Sequence, residues 1–187
     1  SKARIPQAGH YRASTKLSAD PVDIQRLADL LVKAERPCVL FGTQTWTCRA
    51  SDTAREFART LNIPAYMNGS GRGTFPPGDP HHFHRTRRMA FNQADVIVIV
   101  GTPFDFRMGY GRRLGSEATV VQVDMDYRTV GKNRDISFGL VGDIGQVLAS
   151  VLAATTGTTD NGAKKRQAWL DELRAAEQVA YEKLMPS

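Results

Sequence analysis

The chain has few cysteines and no long apolar run. Cys38 and Cys48 are the only cysteines among its 187 residues, too few for a disulfide framework and typical of a reducing cytoplasm. The longest apolar run is Val96–Val100, far short of the ~18 residues that suggest a membrane span. The N-terminal residues lack the apolar core of a secretory signal. We therefore expect a cytoplasmic protein and exclude a disulfide-stapled or membrane-spanning one.

Familiar catalytic motifs are missing as well. The sequence shows no Ser/His/Asp arrangement, nucleophile elbow, Walker loop or obvious acidic pair, and neither cysteine has a histidine placed to activate it. We predict no catalytic residue and no metal ligand within the chain. It is better suited to holding a ligand than to performing chemistry.

What the chain does have is the composition of one globular domain. It is 41% hydrophobic and carries a net charge of +6, which is compatible with an anionic partner. Nucleic acid is not the favoured partner, because the basic residues are dispersed and the aromatic residues fall at core-like positions.

Apolar runs alternate with helical segments along the chain. Asp20 and Pro21 form a helix start that is followed by apolar residues at three- and four-residue spacing. Strands are predicted at 38–41, 64–67, 95–101, 119–123 and 138–141, and further helices at 50–61, within 81–93, from 143 to about 153 and over 164–184. This alternation indicates a parallel sheet covered on both faces. We predict a Rossmann-like, doubly wound α/β domain over 20–155, an incoming linker at 1–19, and a connector with a helix at 156–187.

Glycines and carboxylates follow the predicted strands, where an open parallel sheet binds its ligands. The strand ends fall at 42–43, 68–71, 101–103 and 124–126. Asp124 follows Gly101 at about the offset at which dinucleotide folds place a carboxylate on a ribose. The glycines at 69–73 make GxGxG, not GxGxxG, so ordinary turns stay the alternative. For Asp143 taken alone, a simple helix cap with nothing bound is the favoured interpretation.

The segment HHFHRTRR (81–88) is rich in histidine and arginine. A metal site is disfavoured, because no cysteine or well-spaced carboxylate accompanies the histidines. Phosphate contact through the guanidinium groups is more plausible. A solvated basic helix face is the favoured interpretation.

Four blocks of sequence together resemble a known family. They are PAYMNGSGRGTFPPGDPHHF (64–83), ADVIVIVGTPFDFRMGYG (94–111), TVVQVDMD (119–126) with GKNRD (131–135), and FGLVGD (138–143). In this order they resemble the central domain of thiamine-diphosphate-dependent enzymes, above all acetolactate synthase large subunits. The resemblance covers about 18–155 and implies a six-stranded parallel sheet with helices on both faces.

The resemblance also implies a larger enzyme with a pyrimidine-binding, a central and a pyrophosphate-binding domain, assembled as a homodimer or homotetramer. The catalytic glutamate would lie upstream, and the motif that holds Mg²⁺ and thiamine diphosphate downstream. The helix at 164–184 would then lead to a missing pyrophosphate-binding domain, and the 187 residues alone would be inactive.

In acetolactate synthases the central domain binds FAD in a structural role. The matching positions here are Asn68, Gly69, Gly101, Thr102, Pro103, Asp105, Arg107, Asp124, Met125, Asp126 and Asp143. The family's MLGMHG stretch is replaced by HRTRRMAF (84–91). That segment is similar to oxalyl-CoA decarboxylases and 2-hydroxyacyl-CoA lyases, whose central domain binds ADP or a CoA-like nucleotide. The expectation for the pocket is therefore FAD, ADP or no ligand.

The implied activity is that of an acetolactate-synthase-like transferase of branched-chain amino acid biosynthesis. It would decarboxylate a 2-oxo acid such as pyruvate and join the product to a second carbonyl. Two alternatives stay open: the ADP- or CoA-binding central domain of a lyase or decarboxylase, and a stand-alone nucleotide-binding module.

Overall fold

A computed structural model describes residue 5 and residues 16–184, so most of the predicted linker at 1–19 lies outside the described residues. The helices are α1 (Pro21–Lys33), α2 (Thr43–Thr47), α3 (Ser51–Thr60), α4 (Arg87–Gln93), α5 (Ile144–Thr155) and α6 (Ala163–Glu182). The strands are β1 (Pro37–Phe41), β2 (Ala65–Met67), β3 (Val96–Val100), β4 (Thr119–Asp124) and β5 (Phe138–Val141). None of the helices in these residues is long and apolar enough to cross a membrane.

The strands form one parallel sheet in the order β2-β1-β3-β4-β5. Every residue of β1 and β3 is buried, as expected of central strands that are covered on both faces. Val98 of β3 lies between Val39 of β1 and Val121 of β4. The predicted α/β class and the five strands read from the apolar runs are confirmed.

The sixth strand implied by the family resemblance is wrong for the described residues. At the free edge of β2, His82 makes a single parallel bridge to Ala65. On one side of this bridge, the amide of His81 donates to the side chain of Asp79 at 3.0 Å instead of to the sheet. On the other side, the amides of residues 84–86 donate to the carboxylate of Glu177 instead. Pairing at this edge therefore stops after one bridge.

Helices cover both faces of the sheet. On one face α1, α3 and α5 contribute Leu27, Phe57 and Val147 to a common apolar core. On the other face α4 and α6 pack over Leu40 and Ile97 of the central strands.

Helix α6 completes this second layer. Its Trp169, Leu170 and Leu173 are buried in the core, and the Trp169 indole donates to the carbonyl of Pro37 at 3.1 Å. The buried Arg166 donates to the carbonyls that end α1 and thereby supplies partners that a helix terminus lacks. The idea that α6 leads on to a pyrophosphate-binding domain stays a prediction.

Candidate functional site

The loops after β1, β2 and β3 converge at the carboxyl edge of the sheet. The Asn68 side chain reaches Thr102 Oγ1 at 3.5 Å, and the Gln44 amide donates to the carbonyl of Gly101 at 3.1 Å. Asn68 also accepts from the amide of Gly69 and so starts the turn that follows β2. Pro103 is half-buried next to the buried Thr102. The structure thus brings together the predicted site residues of the β2 and β3 loops.

The glycines at this edge let the loops pack against one another. Gly101 has φ +63°, and a Cβ there would lie 2.6 Å from the Cβ of Gln44. Gly69 has φ +52°, and its Cβ would lie 2.5 Å from the hydroxyl of Thr43. Both positions favour glycine because φ is positive and because the neighbouring side chain leaves no room for a Cβ atom. The space that the missing side chains leave is filled by protein, which matches the ordinary-turn alternative, not a phosphate cradle.

Asp124 is fully buried at the end of β4 and joins two loops. Its Oδ1 accepts from the Gln44 side chain at 2.7 Å and from the Asp126 amide at 2.8 Å. Gln44 in turn accepts from the Met125 amide at 3.0 Å. The other oxygen, Oδ2, is buried with no hydrogen-bond partner among the described residues. Such an unsatisfied acceptor is costly and calls for a donor.

Asp105 and Asp126 already have cationic partners. Asp105 caps the turn at 106–111 and accepts from both the amide and the guanidinium of Arg107, so the pKa of Asp105 lies below its usual value. Arg128 binds Asp126 in the same way at 2.9 Å and lowers the pKa of that carboxyl. Both carboxylates are therefore ionised and locally neutralised.

The two remaining predicted positions are Met125 and Asp143. Met125 is half exposed, and its sulfur lies 3.0 Å from Cys48 Sγ. Asp143 caps α5 by accepting from the Gln146 amide at 3.0 Å, and it pairs with Lys16 at 3.4 Å. Asp143 thus has the helix-cap geometry that the sequence favoured for this residue alone.

The histidines of the segment 81–88 do not converge on one point. His81 Nε2 lies 3.0 Å from Asn62 Oδ1, whereas the His82 ring stacks beside His84 at 4.0 Å between centroids. Burial lowers the pKa of both His81 and His82. Residue 5 and residues 16–184 contain no group of three His, Cys, Asp or Glu side chains that could hold a metal ion.

The arginines of that segment line two adjoining cavities together with other arginines, which the sequence did not group with them. The cavities have volumes of about 470 and 520 Å³ and share Arg87 and Arg88. We call them together the arginine groove, after the seven arginines that line it: Arg72, Arg85, Arg87, Arg88, Arg107, Arg112 and Arg113. Within residues 16–184, no Asp or Glu lines either cavity. The sequence raised phosphate contact only for residues 81–88, where a solvated basic face was favoured, and did not link the arginines that follow β2 and β3 to that segment.

Comparison with known proteins places these features in context. A family model described as "Thiamine pyrophosphate enzyme, central domain" matches residues 24–151. An acetolactate synthase large subunit of Mycobacterium tuberculosis is 35% identical over 176 residues, which cover 92% of this chain and 31% of that protein. The 2-hydroxyacyl-CoA lyase 2 of Bos taurus is 32% identical over 165 residues, which cover 86% of this chain and 25% of the lyase.

A solved structure shares the fold. Benzoylformate decarboxylase from Polynucleobacter necessarius superimposes with a TM-score of 0.66 at 21% identity, covering 86% of this chain and 32% of the decarboxylase. At this identity the likeness concerns the fold alone. The chain spans about a third or less of the length of each relative that it matches.

Proposed function

Because the chain belongs to the family of thiamine pyrophosphate enzyme central domains, we propose that it is the middle unit of an acetolactate-synthase-like enzyme. Such an enzyme would decarboxylate a 2-oxo acid such as pyruvate and join the product to a second carbonyl. The observation that carries the proposal is 35% identity across 92% of the chain to an acetolactate synthase large subunit.

The residues that the structure describes do not fit thiamine diphosphate with its Mg²⁺. They include no cluster of carboxylates or histidines able to hold a metal ion, and the carboxylates at the strand ends are buried, capping or paired with arginine. We therefore assign no catalytic step to this chain, and the 187 residues alone should be inactive. Its role is to provide a scaffold and a nucleotide pocket.

The nucleotide pocket would lie at the carboxyl edge, with FAD or ADP as the ligand. Asp124 Oδ2 supports this placement, because it is a buried acceptor with no donor among the described residues. A ribose hydroxyl would supply that donor. Oδ1 is already occupied by Gln44 and the Asp126 amide, so Asp124 is held in place before a ligand arrives.

Titration of the chain with ADP, FAD and CoA, followed by thermal unfolding, tests this pocket. A ligand that binds only the folded state stabilises it by about 2.7 kcal/mol at a hundredfold excess over Kd. Asp124→Asn keeps an acceptor for Gln44 and removes the acceptor for the ribose. We expect it to fold and to weaken binding about tenfold. Unchanged affinity would remove Asp124 from the pocket.

A second candidate is the central domain of a 2-hydroxyacyl-CoA lyase. It is favoured by the 32% identity to the bovine lyase and by the arginines at 85, 87 and 88, which suit a phosphate-rich thioester. The complete enzyme that contains this chain should be assayed with thiamine diphosphate and Mg²⁺. Acetolactate from pyruvate supports the first candidate, and cleavage of 2-hydroxyacyl-CoA alone supports the second. The absence of both would refute both.

A further inference from the structure

The arginine groove concentrates positive charge that the chain does not neutralise. Among the described residues, no carboxylate lies within 4.0 Å of Arg72, Arg87, Arg88, Arg112 or Arg113. Elsewhere in the fold, arginines are commonly paired, for example Arg128 with Asp126 and Arg174 with Asp171. The groove therefore gathers five arginines that have no acidic partner among the described residues.

Arg87 lies at the centre of this charge. It is half-buried and lines both cavities. Burial together with the positive charges of Arg72 and Arg113 lowers the pKa of its guanidinium. These three arginines come from the β2 loop, from α4 and from the segment after β3, so the fold itself brings the like charges together. An anion between them would relieve the repulsion.

The walls of the first cavity strengthen this effect. Phe91, Met108 and Leu114 line it and are each nearly fully buried, which lowers the local dielectric and enlarges charge interactions. Guanidinium groups match the geometry of phosphate oxygens and bind them through two hydrogen bonds at once. The two cavities of about 470 and 520 Å³ meet at Arg87 and Arg88 and have room for more than one phosphate.

We propose that the arginine groove is a binding site for a diphosphate group, which spans the junction of the two cavities between Arg72, Arg87 and Arg113. This inference deepens the proposed nucleotide pocket and rests on it only for the organic part of the ligand. The diphosphate contacts themselves depend on the arginines alone. The ligand is thus a small molecule with a phosphoanhydride, free or attached to a nucleoside.

Isothermal titration of the chain with inorganic pyrophosphate and with ADP tests the site. Arg87→Gln and Arg113→Gln each remove one charge from the groove, and we expect each to weaken pyrophosphate binding at least about tenfold, the loss of one charge-assisted contact. The matched control is Arg128→Gln, an exposed arginine at the same edge of the sheet that pairs with Asp126 outside the groove. Its affinity for pyrophosphate should stay within about twofold.

Folding can be separated from binding. Because Arg87 has no acidic partner among the described residues and faces Arg72 and Arg113, the unliganded Arg87→Gln variant should melt no lower than the wild type. The inference is overturned if folded wild-type chain does not bind pyrophosphate at millimolar concentration, or if Arg128→Gln weakens binding as much as Arg87→Gln. It is also overturned if poly-glutamate competes as well as tripolyphosphate, since the groove would then bind an acidic protein segment.

The two proposals fail in different ways. ADP binding that is unaffected by Arg87→Gln would refute the diphosphate site and leave the nucleotide pocket intact. Pyrophosphate binding that depends on Arg87, without any gain for ADP, FAD or CoA, would support the diphosphate site and refute the nucleotide part of the proposed function.

Discussion

Replacing Glu177 should loosen α6 from the domain. The carboxylate of Glu177 accepts from the amides of His84, Arg85 and Thr86 at 2.8 to 3.0 Å, and from the Thr86 hydroxyl at 3.0 Å. One side chain on the last helix thus satisfies three consecutive backbone donors just before α4. Among them, the Arg85 amide is the donor in register to continue the ladder to β2.

The cost of losing this carboxylate follows from the burial of its partners. His84 and Arg85 are exposed, so water can replace Glu177 at their amides, but Thr86 is only 5% exposed and would lose two hydrogen bonds to Glu177. Hydrogen bonds to a charged group contribute about 1.5–3 kcal/mol each, and those that water replaces contribute much less. We expect Glu177→Gln to lower the free energy of unfolding by about 2 kcal/mol and Glu177→Ala by about 3 kcal/mol.

Urea unfolding followed by tryptophan fluorescence measures this cost. Trp169 is buried on α6 and Trp46 is 65% exposed, so a Trp46→Phe background leaves Trp169 as the reporter of docking. The control is Glu172→Gln, which removes only an exposed pair with Arg36 at 3.7 Å and should cost under ~1 kcal/mol. If Glu177→Gln is no less stable than Glu172→Gln, the anchoring role is refuted.

Two further predictions concern Gly101 and the buried histidines. Gly101→Ala should destabilise the chain by more than ~2 kcal/mol, because the positive φ is strained and the Cβ would clash with Gln44. The control is Gly157→Ala: Gly157 also has a positive φ, but a Cβ there would lie in open space, so the substitution should cost only ~1 kcal/mol. Equal urea midpoints for the two variants would refute the clash at Gly101. Burial lowers the pKa of His81 and His82, so the unfolded chain takes up protons first and stability falls as pH drops below ~6.5. In the wild type the urea midpoint should therefore be lower at pH 5.5 than at pH 7.5. In the double variant His81→Gln/His82→Gln most of this difference should disappear, and an unchanged difference would contradict the prediction.

The strands could be predicted because a strand that is buried on both faces has an uninterrupted apolar run in its sequence. Val96–Val100 is uninterruptedly apolar, and the Asp20-Pro21 start of α1 is observed as predicted, with Asp20 accepting from the Val22 amide. Helix α2 escaped prediction, because Thr43–Thr47 is too short to show an apolar period. The fold therefore followed from periodicity wherever an element is long enough to repeat.

The position of α6 shows where periodicity stops being informative. An apolar side predicts that a helix will dock, but it does not say on what. The partner is set by contacts distant in sequence, such as the Trp169 indole on Pro37 and the Glu177 carboxylate on residues 84–86. The early end of strand pairing at the β2 edge of the described sheet has the same cause, since Glu177 binds the Arg85 amide.

The candidate site, like the fold, was predicted only in part from the sequence. The strand ends were located correctly from the sequence, because they follow from the order of elements. The role of each glycine there could not be predicted. A glycine that makes room for a ligand and a glycine that makes room for a neighbouring loop look the same in a sequence. Gly101 approaches Gln44, so its signal belongs to packing. For the arginines the sequence showed too little. Arg72, Arg87 and Arg113 are dispersed along the chain and come together only in the fold. The net charge is compatible with an anionic partner, and the place that we propose for it comes from the geometry.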